Sequence, residues 1–258
     1  MSEPVRIEPR EGFWRIVLDR PERLNAFDRA THAALRAALD RAASDKACRA
    51  LVLAGSGRAF CAGQDLAAVE GEADLGRLLA ETWNPLVARL RELPLPTVAA
   101  VNGIAAGAGL SLALACDIVL AAKSARFFAA FSKLALVPDS GASWLLPRLL
   151  GPVRARALAL LGDPLSAEEA ERLGLVWRAV PDEELLREAE AIAGRLAEGP
   201  TAALVATRRL LDAAWWRDLR AQLEEEARMQ AELGRMPDYA EGVRAFLEKR
   251  APRFGERP

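Results

Sequence analysis

Two hydrophobic periods share the chain. "FWRIVLDR" (13–20) is an apolar run that closes on charges, which reads as a strand. The turn "RPERLNAFD" follows it. In "RATHAALRAALDRAA" apolar residues then recur at steps of three and four, predicting an amphipathic helix from about Asp28 to Ala43. "RALVLAG" (49–55), "TVAAVNG" (97–103) and "DIVLAA" (117–122) are short apolar runs that read as further strands. The helical "GAGLSLALAC" lies between the last two. Strands alternating with helices in one chain predict an α/β or mixed layered domain.

After Asp139 the pattern becomes helical and is expected to stay so. "LSAEEAERLG" has a Ser start and a Gly stop, and "PDEELLREAEAIAGRLAEGP" opens on acids and closes at Gly-Pro. From Thr201 to Arg250 amphipathic helices continue, with "AAWWRDL" a junction whose shape the pattern leaves open. The organisation expected is a core over 1–200 and a helical region over 201–258. No internal repeat or low-complexity segment is visible. At 258 residues this suits one domain of ordinary enzyme size, or one domain with a helical appendage.

Composition narrows the function. Hydrophobic residues make up 52%, enough for a sizeable core, and a net charge of −1 argues against nucleic-acid or membrane partners. Cys48, Cys61 and Cys116 are an odd count without CxxC spacing, which disfavours a disulfide framework and a zinc site. "MSEPVRIEPREG" lacks the apolar core of a signal peptide and no stretch is long and apolar enough to span a bilayer, so a cytoplasmic location is expected. Scarce Asn, Gln, Cys and Met, with Arg far above Lys, fit a thermophile, and a GC-rich genome equally. The only histidine, His32, is expected on a solvated helix face. A Ser-His-Asp triad would depend on it, and an HExxH zinc site is impossible.

Two features hold candidate chemistry. In "LALVPDSGAS" (134–143) a single acid, Asp139, follows an apolar run and a proline. It can cap the next helix, or sit in an apolar pocket among Leu134, Leu136 and Val137 that raises its affinity for a proton. Two glycine-rich loops, "GSGRAFCAGQDL" (55–66) and "NGIAAGAGLSLAL" (102–114), follow strands. Neither matches a phosphate loop or GxGxxG. The second either packs a helix closely or points backbone N–H groups at an anion or a developing oxyanion.

"RPERLNAF", "GRAFCAGQDL" and "AVNGIAAGAGLSLALACDIVLAA", in that order and spacing, resemble the crotonase (enoyl-CoA hydratase/isomerase) superfamily, and the likeness runs along essentially the whole chain. "NPLVARLRELPLPTVAAVNGIAAGAG", "FSKLALVPDSGASWLLP" and "YAEGVRAFLEKRAPRF" are most similar to the members that isomerise ring-1,2-epoxyphenylacetyl-CoA in aerobic phenylacetate breakdown. The resemblance implies a crotonase-type β-spiral of ββα turns, a C-terminal helical trimerisation region, and a trimer or dimer of trimers. It implies that the backbone N–H groups of Gln64 and Ala108 bind a thioester oxygen. It places the substrate along Arg23, Leu24 and Ala26, along Ala62, Gly63, Asp65 and Leu66, and near Ile104, Gly107 and Pro138. Phe246 and Lys249 are implied to reach the ligand of a neighbouring subunit.

Family members that hydrate a double bond use two glutamates. Here Ser111 and Phe131 stand at those positions, whereas Asp139 stands where several isomerases keep a single acid. The resemblance therefore moves Asp139 from helix cap to catalytic acid. One carboxylate suffices when the proton it takes at the α carbon is the one it returns at the γ carbon. The expected function is the ring-epoxide isomerase. A Δ3,Δ2-enoyl-CoA isomerase and a non-catalytic acyl-CoA-binding subunit are the alternatives. No metal or redox cofactor is expected, CoA entering as part of the substrate.

Overall fold

In a computed structural model, residues 3–69, 71 and 74–255 are described here, so the ends of the expected 1–200 and 201–258 regions fall partly outside them. Strands β1 (Val5–Arg10) and β2 (Phe13–Leu18) form an antiparallel pair, Val5 opposite Leu18. Helix α1 (Arg29–Ser44) returns the chain to β3 (Ala50–Gly55), parallel to β2.

Three turns of one pattern follow. The first is β3, then β4 (Ala59–Cys61), then helices α2 (Leu75–Glu81) and α3 (Trp83–Glu92). The second is β5 (Thr97–Val101), β6 (Ile104–Ala106) and α4 (Ala108–Leu114). The third is β7 (Ile118–Ala122), β8 (Arg126–Phe128) and α5 (Ala142–Leu161), which breaks at Gly151. Each first strand joins a six-stranded sheet that begins β1-β2-β3-β5-β7 and ends on the strand Arg178–Val180, and each second strand a four-stranded sheet that begins β4-β6-β8 and ends on Leu165–Ser166. This is the expected ββα spiral. It repeats in backbone path only, which is why the sequence shows no repeat.

The central strands are parallel to their neighbours and covered on both faces, so they read as unbroken apolar runs. Leu51, Leu53, Val98, Val101 and Leu120 are fully buried. Two short strands, β9 (Leu165–Ser166) and β10 (Arg178–Val180), correct the expectation that everything after Asp139 is helical. With two and three residues, they are too short to show a period of two. Helices α6 (Ala167–Leu173) and α7 (Leu185–Glu198) stand where expected, α6 opened by a reciprocal Ser166–Glu169 capping box and closed at Gly174 in the left-handed conformation.

The last helices are α8 (Thr201–Ala213), α9 (Leu219–Leu233) and α10 (Pro237–Leu247). The "AAWWRDL" junction is a 3-10 turn (Ala214–Trp216), after which Asp218 caps α9 through the Ala221 amide. Arg208 ties α8 to the core, donating to the carbonyls of Leu93 and Leu95 and pairing with Asp117 at 3.1 Å. Leu211, Trp215, Trp216, Leu219, Phe246 and Leu247 stay exposed.

His32 is not on a solvated face. It is buried, in edge contact with Phe27 (5.0 Å between ring centroids) and Trp83 (4.7 Å). Its own helix explains this, because Leu35, Leu39 and Ala42 lie on the same stripe at steps of three and four. Neither ring nitrogen has a hydrogen-bond partner among the described residues, and burial pushes its pKa down to about 4. The nearby Gln64 carboxamide opposes that drop without reaching hydrogen-bond geometry, being bonded to Phe27 and Trp83 instead.

Candidate active site

The two glycine-rich loops meet at the N-terminus of α4. Gly63 has φ +92°, and a Cβ there would stand 2.9 Å from the Ala106 carbonyl oxygen and 3.3 Å from the Ala108 nitrogen. At Gly109 a Cβ would fall 2.1 Å from the Cys61 carbonyl oxygen. These two glycines let the loop after β4 lie directly on the first turn of α4.

The contact brings together two amides that donate to no group among the described residues. Ala108 is the first residue of α4, whose N-cap Gly107 offers no side chain, so its N–H has no partner within the helix. Gln64 is bracketed by Phe27, whose N–H donates to Gly63 O and whose carbonyl accepts from the Asp65 N–H. That pairing turns the Gln64 N–H the other way. The Gln64 side chain is clasped as well, with Nε2 donating to Phe27 O at 2.7 Å and Oε1 accepting from Trp83 Nε1 at 2.9 Å.

A cavity of about 240 Å³ opens at this junction. Ala62, Gly63, Gln64, Leu66, Gly107 and Ala108 form one side of it, and Phe131, Leu134, Leu136, Val137 and Asp139 another. Asp139 is the only ionisable side chain among the described residues that line it. Burial raises its pKa above the ordinary aspartate value, and a hydrogen bond from the Ser140 hydroxyl to Oδ1 (2.8 Å) pulls it part of the way back. Asp139 is not a side-chain cap. Helix α5 starts at Ala142 with Gly141 as N-cap, and only the Asp139 carbonyl joins it, accepting from the Ala142 N–H at 2.8 Å.

Leu134, Leu136 and Val137 were expected to bury the acid. They do line its cavity, but are 51%, 40% and 77% exposed in the single chain. The apolar run precedes α5 as an exposed turn, so its side chains form a rim of the cavity. Ser111 and Phe131, where the resemblance expects the two glutamates of hydrating members, are both buried. The Ser111 hydroxyl donates to the Asp139 carbonyl at 3.1 Å.

The remaining candidates lie around this centre. Leu24 and Asn25 sit in a left-handed turn (φ +52° and +56°), pinned by Asn25 Nδ2 to the carbonyls of Ser56 and Ala59. The Leu24 carbonyl accepts from the Ala62 N–H, which joins "RLNA" to the cavity loop. Arg23 is exposed, and Ala26 is buried beneath the turn. The Asp65 carboxylate faces Arg20 at 3.2 Å, and neither it, Ile104 nor Pro138 lines the cavity. Phe246 (83% exposed) and Lys249 sit at the far end of α10, outside their own chain's cavity. Sequence reasoning missed the wall supplied by Val69, Leu75, Leu78, Leu79 and Trp83. Their helical spacing signals burial, but a period cannot say that the buried face meets a cavity rather than a core.

Chemically, two free amides beside one acid in an apolar cavity can hold a carbonyl oxygen as it gains negative charge while the acid moves a proton. Among the described residues no group of three or more His, Cys, Asp or Glu could hold a metal ion, and no helix is long and apolar enough to cross a membrane.

Fold and site together define a crotonase-type acyl-CoA enzyme, and residues 8–257 match the enoyl-CoA hydratase/isomerase family model. The chain belongs to that family. It is 48% identical over 259 residues to the 1,2-epoxyphenylacetyl-CoA isomerase of Escherichia coli (98% of this chain, 99% of that protein). It is 50% identical over 252 residues to a probable enoyl-CoA hydratase of Rhodobacter capsulatus, with 97% of each covered. Among solved structures, a putative enoyl-CoA hydratase from Streptomyces coelicolor superposes with a TM-score of 0.91 at 41% identity, covering 98% of this chain and 94% of the other. An enoyl-CoA hydratase from Bacillus anthracis superposes at 0.93 and 32% identity, covering 97% and 98%.

Proposed function

We propose that this chain isomerises ring-1,2-epoxyphenylacetyl-CoA to the oxepin thioester, with Asp139 as the single proton carrier. The observation that carries the reading is one acid: among the described residues, Asp139 is the only ionisable side chain lining a cavity that two backbone amides without a partner also line. The thioester oxygen is held by the N–H groups of Gln64 and Ala108. Asp139 removes the α proton, the electron pair passes to that oxygen as an enolate, and the acid returns the proton at the γ carbon of the ring. The ring bond shared with the epoxide opens as the oxepin forms, leaving an exocyclic double bond conjugated to the thioester. No atom is gained or lost, and neither water nor a second base is needed. The 1,2-epoxyphenylacetyl-CoA isomerase name of one relative supports the substrate.

Hydration, the activity in the names of other relatives, requires a water positioned by acids, and among the described residues Asp139 is the only acid lining the cavity. We further propose that the chain works without a metal or redox cofactor and assembles through its C-terminal helices into a trimer or a dimer of trimers. The test is a side-by-side assay of purified protein on the ring epoxide, a 3-enoyl-CoA and a 2-enoyl-CoA. Fastest turnover is expected on the epoxide, with slow or no hydration of the 2-enoyl thioester. Efficient hydration would overturn the single-acid reading. Turnover confined to the 3-enoyl thioester would assign the chain to double-bond isomerisation of acyl chains. Tight CoA-thioester binding with no turnover would make it a binding subunit.

A further inference from the structure

We infer that Ser140 is a positioning residue: its hydroxyl holds Oδ1 of Asp139 and so assigns Oδ2 the work of taking and returning the proton. This rests on the proton-carrier reading of Asp139. Ser140 is buried, 3% exposed, and adopts φ +52°, a left-handed conformation that non-glycine residues enter at a cost. Two consecutive left-handed residues, Ser140 and Gly141 (φ +89°), fold the serine back onto the acid that precedes it, so that Oγ donates to Oδ1 at 2.8 Å. The acid's backbone is held independently, since its carbonyl accepts from the Ser111 hydroxyl and from the Ala142 amide. Main chain and one carboxylate oxygen are thus both fixed, which leaves Oδ2 as the oxygen without a partner among the described residues.

A carboxylate that shuttles one proton between two carbons gains from this arrangement in two ways. It does not rotate while protonated, so the proton stays on the oxygen facing the substrate. Its charged form is also stabilised against the apolar surroundings, because the Ser140 hydrogen bond lowers the pKa that burial raises. Among the described residues no charged group does this. Lys133, on the turn before the acid, lies against Gly162. On α5, Arg148 stacks over Trp144 and Trp216. On α3, Arg91 pairs with Asp212. Helix α4 offers no titratable side chain.

The test compares Ser140→Gly and Ser140→Ala with wild type in the full-length protein, on the thioester that wild type turns over, with Asp139→Asn alongside. Glycine keeps the left-handed backbone and removes only the hydroxyl, which separates positioning from folding. In both serine variants the acidic limb of the kcat profile should move up by about one pH unit. In both, kcat should fall about tenfold or more with KM nearly unchanged, and product formed in D2O should carry more solvent deuterium at the γ carbon than wild-type product. If Ser140→Gly keeps the wild-type pH limb and deuterium content while Asp139→Asn is inactive, Ser140 has no positioning role. If Asp139→Asn itself turns over near the wild-type rate, the proton-carrier reading fails and the role of Ser140 fails with it.

Discussion

Replacing Asp139 by Asn should abolish turnover and at the same time stabilise the fold. The substitution keeps shape and volume, and the amide oxygen can still accept from Ser140, so only the charge and the removable proton are lost. Loss of a general base costs about 10²–10⁴ in rate. The stability change follows from the direction of the pKa shift. Burial raises the folded-state pKa above the unfolded value of 3.8, so the folded protein binds this proton more tightly than the unfolded chain does. Stability from this group is therefore greatest at low pH. It falls as pH rises from 3.8 through the folded pKa, and at neutral pH the ionised acid is a net cost of about 1.4 kcal/mol for each tenfold difference in proton affinity. Removing the charge should raise Tm, by about 2–4 °C for each kcal/mol recovered in a chain of this size, and by less to the extent that solvent already screens the half-buried carboxylate. The assay is turnover beside differential scanning calorimetry at pH 7. An Asn variant that melts lower than wild type and retains more than about a tenth of its turnover would refute both halves, leaving Asp139 a structural residue.

Four further outcomes are expected. Gly109→Ala should destabilise the protein by about 3 kcal/mol or more, because its Cβ would meet the Cys61 carbonyl oxygen at 2.1 Å, backbone against backbone; chemical denaturation and CoA-thioester binding measure the loss. His32 is neutral in the fold, with its pKa lowered from 6.5 to about 4, so its contribution is intact above pH 6.5 and about 3 kcal/mol is lost as pH falls from 6.5 to 4. His32→Leu should flatten that stretch of the urea-melt pH profile, and an unchanged slope would count against the burial. Analytical ultracentrifugation at micromolar concentration should return a trimeric or hexameric mass, given the exposed Leu211, Trp215, Trp216, Leu219 and Phe246, whereas a clean monomer would also remove the case for Phe246 and Lys249 as ligand contacts. Turnover should survive EDTA, and a loss restored by one added metal would contradict the proton-shift chemistry.

What the sequence made legible was whatever has a period or a punctuation mark. Strands β2, β3, β5 and β7 announce themselves as apolar runs because both their faces are covered, and α6 through its Ser start and Gly stop. The second strand of each turn, such as Ala59–Cys61 or Ile104–Ala106, was read only as loop. Three residues paired edge to edge carry no period, and the partner that makes them a strand lies tens of residues away. The same limit hid the cavity wall on α2 and α3. His32 is the opposite case, since the stripe through Leu35, Leu39 and Ala42 places it on the core face. A polar ring on an otherwise apolar stripe reads as a surface residue only if the stripe is ignored.

Ser111 and Phe131, the positions at which the sequence resemblance expects two glutamates, pack around Asp139. The Ser111 hydroxyl donates to the Asp139 carbonyl and so braces the segment that carries the acid. Phe131 is buried with its ring facing Gly107 and lays apolar surface on the cavity wall. Adding one glutamate at Ser111 would therefore not recover hydration. It would release the Asp139 carbonyl from its brace and place a second negative charge beside an acid whose proton affinity is already raised by burial. Like charges that close raise one another's pKa, so such a variant should lose isomerase turnover at neutral pH without gaining hydratase activity. Measurable hydration of a 2-enoyl-CoA by Ser111→Glu alone would show that the Phe131 side of the cavity admits water after all.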